Sequence, residues 1–182
     1  MINRLRTLGR ILAVALTAAP CAINGDALRA ADEPAIVAGI DPTPLETFAA
    51  RELQRYLHSL QGPRPLLVGA QDPRAQTGDA FALGFAGSHP LIARIRAAGA
   101  QLDPSGLGDE GYLLKTCEDG SRKVLVITAP TDRGLLHGVY RLLDVHYGMG
   151  FFLHGDVFPA DPASRGVVQV DAKRRPAQKI RG

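Results

Sequence analysis

Residues 43–63, TPLETFAARELQRYLHSLQGP, spell a complete helix with both of its ends. Thr43 is a capping residue, and Pro44 suits the first helical position. Glu46 stands three residues after the cap, where it closes a capping box. Leu45, Ala49, Leu53, Tyr56 and Leu60 recur at helical spacing and lay one apolar stripe along the helix. Gly62 is free to turn left-handed, and Pro63 blocks continuation. A helix with one apolar face must lie on something. The flanking sequence supplies strands: Ala35–Ala38 (AIVA) before it and Leu66–Gly69 after it.

Working outward, Phe81–Phe85 reads as a third strand, separated from the second by a polar loop with Asp72-Pro73 and Gly78. Ser88 is placed to cap a short helix carrying Leu91, Ile92 and Ile95 and ending at Gly99. Residues 101–108, with Pro104, Gly106 and Gly108, form another loop. Tyr112–Cys117 and Lys123–Thr128 are rich in strand formers and flank Glu118-Asp119-Gly120-Ser121, so they predict a hairpin with Gly120 at positive φ. A second long helix spans Asp132–Tyr147, with Leu135, Val139, Leu142, Leu143 and His146 on one face. Gly134 and Gly138 stand beside that face and permit close approach to the sheet. Gly148 ends the helix, and Phe151–Leu153 reads as a last strand. The order β-α-β-β-α-β-β-α-β predicts an α+β (mixed α/β) fold: a single mixed sheet with helices packed mainly on one face.

The 182 residues hold one ordinary domain with extensions. Arg4, Arg6 and Arg10, the apolar run Ile11–Ala19 and the small residues after it read as a signal peptide over residues 1–30. That predicts a secreted or periplasmic protein with no membrane span after cleavage. Pro20 directly before Cys21 and a poor upstream match argue against a lipoprotein anchor. The sequence pI of about 9.1 comes from the two ends. Residues 31–172 hold 12 Lys/Arg against 17 Asp/Glu, a net −5. A body of that sign lacks the basic face that tracks phosphates, which excludes nucleic acid as a partner.

Candidate chemistry is sparse. Asp109 and Glu110 form a carboxylate pair, but adjacent residues entering a strand point to opposite faces and cannot flank one scissile bond. His137 lies opposite the apolar stripe and reads as solvated, while His146 lies within the stripe and reads as half-buried with a hydrogen bond. They do not converge on one metal with His154, and no spacing fits a zinc site. Cys117 ends a strand and reads as inert. Neither Ser88 nor Ser105 has a G-x-S-x-G setting, and the glycines match neither a P-loop nor a dinucleotide fingerprint. Arg133, at the start of the second long helix, reads as solvated or ion-paired. The residues themselves imply no cofactor, metal or catalytic group. The apolar segment FFLHGDVFP, residues 151–159, is the candidate domain-contact or ligand surface, through Phe151, Phe152, His154, Asp156 and Phe158.

Three stretches together carry a resemblance: FAARELQRYLHSLQG (Phe48–Gly62), Glu110-Gly111-Tyr112-Leu113 followed by the arm VLVITA, and TDRGLLHGVYRLLDVHYGMGFFLHGDVFP (Thr131–Pro159). They resemble the small α/β domain that precedes the (β/α)₈ barrel in secreted glycoside hydrolases. Two such domains are similar: the β-N-acetylhexosaminidase-like domain of families 20 and 84, and the N-terminal domain of the α-glucuronidases. Residues 175–182, RPAQKIRG, are similar to the opening of the first barrel strand. The resemblance implies domains at 33–160 and, over 161–182, a linker and the start of a missing barrel. It implies a catalytic (β/α)₈ barrel C-terminal to Gly182, with carbohydrate bound in the assembled protein. The acid/base carboxylates of this group lie on the barrel, so no catalytic residue carries over. The expected role is that of a non-catalytic accessory domain. The alternatives are a stand-alone glycan- or protein-binding module using Phe151, Phe152 and Phe158, and a small enzyme using His154 and Asp156.

Overall fold

The computed structural model describes residues 33–160 and 166–175. Residues 1–30, read above as a signal peptide, Cys21 among them, and the segment after Arg175 that resembles the opening of a barrel strand lie outside the described residues. Strands β1 (Ala35–Ala38), β2 (Leu67–Gly69), β3 (Ala80–Leu83), β4 (Tyr112–Asp119), β5 (Arg122–Thr128) and β8 (Asp171–Arg174) form a six-stranded mixed sheet in the order β2-β1-β3-β5-β4-β8. β2, β1, β3 and β5 are parallel neighbours, and β4 runs antiparallel to both β5 and β8. Three α-helices complete the fold: α1 (Pro44–Gln61), α2 (Pro90–Ala97) and α3 (Asp132–Tyr147).

The two faces of the sheet carry different side chains. Ile36, Phe81, Leu83, Leu125 and Ile127 point to the face covered by α1 and α3. Ala35, Val37, Ala80, Ala82, Val124 and Val126 point to the other, covered by α2 and the buried Ala75 of a 3₁₀ turn at Pro73–Gln76. Both faces are buried, which explains why AIVA, AFAL and VLVI are near-continuous apolar runs rather than alternating ones. The expected stripes hold: Ala49, Leu53, Tyr56 and Leu60 of α1 and Leu135, Val139, Leu142 and Leu143 of α3 are buried in the main core. His146 is half-buried, and no hydrogen bond holds its ring.

The helix starts are joined to each other. The Thr43 N–H donates to Glu46 Oε2 at 2.7 Å, and Thr43 Oγ1 accepts from the Glu46 N–H at 3.0 Å, completing the capping box. The same hydroxyl donates to Asp132 Oδ1 at 2.9 Å, tying α1 to α3. At α3, Thr131 Oγ1 accepts from the Gly134 N–H at 3.1 Å and donates to the Asp109 carbonyl.

Three elements differ from the sequence reading. Pro90 occupies the first position of α2, so the residue before it, His89 and not Ser88, is the cap. The Phe151–Leu153 region leaves the main sheet: β6 (Gly150–Phe152) pairs antiparallel with β7 (Gly155–Val157) in a small hairpin. β8 was not expected, because DAKR has neither strand formers nor alternation. Its place is set by pairing with Tyr112–Lys115 and by Val167 and Val170 buried just before it.

Gly134 and Gly138 make unequal approaches. A Cβ on Gly134 would lie 2.2 Å from the Gly111 carbonyl oxygen, whereas one on Gly138 would meet side-chain atoms of Tyr112 and Ile127 at 3.2 and 3.4 Å. Gly134→Ala is therefore expected to lose about 3 kcal/mol, the upper range of overpacking. In Gly138→Ala the crowding is offset by the helix preference of alanine, about 1 kcal/mol, leaving stability near wild type. Urea unfolding of both variants measures this, and equal losses would contradict the contact.

Candidate functional site

The β6–β7 hairpin packs on α1 and α3 through aromatic rings. Phe151 meets Tyr56 and Tyr140 edge to face, with centroids 5.3 and 4.9 Å apart, and Phe158 lies 6.5 Å from Tyr56. Such pairs add to area burial because ring edges and faces carry opposite partial charge. Polar bonds then fix the cluster. Tyr56 Oη donates to Asp156 Oδ2 at 2.5 Å, and Tyr140 Oη donates to Glu52 Oε2 at 2.7 Å. Arg55 pairs bidentately with Glu52 at 3.0 and 2.8 Å and lies 3.9 Å over the Tyr56 ring. Glu52, Arg55 and Tyr56 fall on one side of α1 because they are three and four residues apart.

The five residues singled out from sequence separate into two roles. Phe151 and Asp156 turn inward and anchor the hairpin. Phe158, 44% exposed, shares the inward side through its ring contact with Tyr56, whereas Phe152 and His154 face out, with Phe152 63% exposed and its ring against Gly150. Leu153, at the turn, is 97% exposed, and Val157 is exposed beside it. The turn takes its positive φ from Gly155 (131°), so Leu153 and His154 need none. An exposed cluster of Phe152, Leu153, Val157 and Phe158 on a firmly anchored hairpin has the makeup of a contact surface. The sequence reading named the segment but not its anchors on α1 and α3; Tyr56 and Glu52 are some hundred residues upstream, and the aromatic content of the helix faces was their one signal.

The other candidates hold structure. Glu110 pairs with Arg133 at 3.6 Å, and the Asp109 carbonyl takes the Thr131 hydroxyl, so the two residues brace the approach to β4. His137 is exposed on α3, as expected. Burial pushes the Cys117 thiol up, away from the reactive thiolate. Ser88 Oγ faces its own turn, donating to the Phe85 carbonyl at 3.5 Å. Among the described residues, no group of three His, Cys, Asp or Glu side chains is arranged to hold a metal ion. No helix among the described residues is long and apolar enough to cross a membrane.

The cluster is expected to respond to pH from both sides. Its hydrogen bond with Arg55 holds the Glu52 carboxyl below its ordinary value, against the opposing effect of burial. Burial, and then the bond to Glu52, raise the Tyr140 phenol. A depressed carboxyl stabilises above its unfolded pKa and loses that contribution as pH falls; a raised phenol stabilises below its unfolded pKa and loses it as pH rises. Hairpin anchoring is expected to be strongest between about pH 5 and pH 9, read by near-ultraviolet circular dichroism of the tyrosines. A signal unchanged to pH 3 and pH 11 would contradict it. Tyr56→Phe removes the bond to Asp156 and is expected to cost about 1 kcal/mol. Phe151→Ala is expected to cost about 2–3 kcal/mol, less than a fully buried ring. Hydrogen exchange at residues 150–157 should speed in both variants, with β1, β3 and β5 still protected.

Comparison with known proteins gives three results. No curated protein matches the chain significantly in sequence. Among solved structures, a GH138 enzyme targeting pectin rhamnogalacturonan II is similar at 14% identity and a TM-score of 0.36, over 61% of this chain and 13% of that one. The chain thus spans a small part of that enzyme's length. The family model described as the glycosyl hydrolase family 67 N-terminus matches residues 22–142, ending before β6. That match covers more than half of the chain and selects the α-glucuronidase side of the resemblance: the chain belongs to the glycosyl hydrolase family 67 N-terminal domains.

Proposed function

We propose that this domain is a non-catalytic accessory part of a secreted, α-glucuronidase-type glycoside hydrolase, and that it docks on a catalytic (β/α)₈ barrel C-terminal to Gly182. The family match supports the parent enzyme. The observation that carries the docking role is the β6–β7 hairpin, whose Phe152, Leu153, Val157 and Phe158 are exposed while Phe151 and Asp156 hold its base. Large apolar side chains held outward at a tip suit insertion into an apolar recess of a neighbouring domain. His154 stands at the rim of this surface. In the assembled enzyme the domain shapes one side of a carbohydrate cleft, and bond cleavage is left to a pair of carboxylates on the barrel. Export is supported by the charge and hydropathy pattern of residues 4–31.

The test is made on the parent enzyme encoded beyond the codon for Gly182. Leu153→Asp with Val157→Asp is expected to lower its melting temperature and open the interdomain segment to protease. The same pair in the 182-residue chain leaves its circular dichroism unchanged. A reading frame without a barrel downstream, or a parent indifferent to both substitutions, would overturn the proposal. Oligosaccharide binding lost on Phe152→Ala would instead establish the stand-alone binding module.

A further inference from the structure

A second site lies at the other end of the sheet from the hairpin anchors, where chain direction reverses. From its carboxyl end β1 connects through α1 to β2 on one side; from its carboxyl end β3 leads through α2 toward β4 and β5 on the other. In open α/β sheets the crevice outside such a switch point is where ligands bind. Here that place is an open cavity of about 380 Å³ between the β1–α1 and β3–α2 loops. Its walls are apolar at Ile40, Ala86, Pro90 and Ala93 and polar at Asp41 and Ser88. The Ile40 N–H donates to the Ser88 carbonyl at 2.9 Å and holds the two loops in register.

The charge of the site selects its ligand. Asp41 brings a carboxylate to the rim, held at φ 50°, a positive φ that no other described non-glycine residue shares. Glu46, 3% exposed with Oε1 buried and without a hydrogen-bond partner, does not line the cavity but lies close to its lining residue His89. At Gly84, which is outside the lining, a Cβ would lie 3.1 Å from Glu46 Oε1 and 3.3 Å from the ring of His89, which is part of it. His89 supplies no opposing charge. Its Nε2–H donates to the Val37 carbonyl at 3.0 Å, Nδ1 faces the Ile92 N–H, and burial lowers its pKa. No Lys or Arg lines the cavity. At each helix start one N–H is taken by its cap, that of Glu46 by Thr43 and that of Ile92 by His89. With Asp41 at the rim and no basic side chain in the lining, a ligand that brings hydrogen-bond donors of its own is favoured over an anion.

We propose that this crevice binds a neutral sugar unit, its hydroxyls donating to Asp41 and Ser88 and its apolar face lying on Ile40, Pro90 and Ala93. The choice of a sugar over other donors rests on the proposed place of the domain in a carbohydrate-degrading enzyme; the site itself is separate from the docking hairpin. Glucose and glucuronate are a matched pair of probes, differing at C6 as an alcohol or a carboxylate. Titration of the ¹⁵N-labelled 182-residue chain with glucose should give saturable shifts at Ile40, Asp41, Gly87 and Ser88. Glucuronate should bind about tenfold more weakly, equivalent to about 1.4 kcal/mol. Ala93→Leu, at an exposed helical position where folding is indifferent, should fill the cavity and abolish the glucose response, and Asp41→Asn should weaken it. Absence of saturable shifts with glucose, equal binding of glucuronate, or a response untouched by Ala93→Leu would each overturn the site. None of these outcomes bears on docking, which the hairpin substitutions test.

Discussion

The contact on which the architecture turns is the one between Gly111 and Gly134. The first turn of α3 comes so near the start of β4 that a Cβ on Gly134 would overlap the Gly111 carbonyl, and a Cβ on Gly111 would overlap Leu107 at 2.4 Å. The two glycines clear different obstructions, Gly134 the Gly111 carbonyl and Gly111 the Leu107 residue before β4. The helix can then sit directly on the strand, with Thr131 and Arg133 bonded to Asp109 and Glu110 on either side. From that seat α3 runs over β5 and β4, and Asp132 reaches the cap of α1 through Thr43. The layer of α1 and α3 is thus assembled from its starts, where both helices are joined to each other and to the loops.

The sheet beneath this layer is asymmetric in volume. Leu, Ile and Phe fill the side under the two long helices, and Ala and Val the side under α2. Small side chains let the eight-residue α2 and the 3₁₀ turn approach a face that larger residues would hold off. They also leave α2 confined to one end of the sheet, so the crevice between β1 and β3 opens on that side. The same end of the fold brings Glu46 Oε1 and the His89 ring to 3.1 and 3.3 Å from where a Cβ on Gly84 would lie.

The hairpin is a different kind of element. It adds nothing to the main sheet and depends on Tyr56, Tyr140, Glu52 and Arg55 for its position. Inward aromatic contacts and one short hydrogen bond make a rigid base, which is what allows apolar side chains to be held in solvent at the tip. A loose loop with the same residues would fold them onto the surface.

The two long helices were legible because their evidence is local. Caps, stripes and terminal glycines lie within a few turns, so TPLETF determined where α1 begins, and the stripe from Leu135 with the closing Gly148 bounded α3. The four buried parallel strands and the Gly120 turn were legible for the same reason, from apolar runs and a positive-φ residue. Strand β8 was not, since DAKR acquires its conformation from Tyr112–Lys115 across the sheet. The departure of Phe151–Leu153 into a hairpin was also hidden, because its cause is the ring pocket formed by two distant helices. Of the candidate surface, sequence determined which segment is apolar; the tertiary structure decided that Phe151, Asp156 and one side of the Phe158 ring face inward and Phe152 outward. The crevice at the switch point has no linear signature, because strand order alone brings Asp41, Ser88 and Gly84 together. Short-range chemistry fixes elements, while long-range pairing fixes which residues share a site.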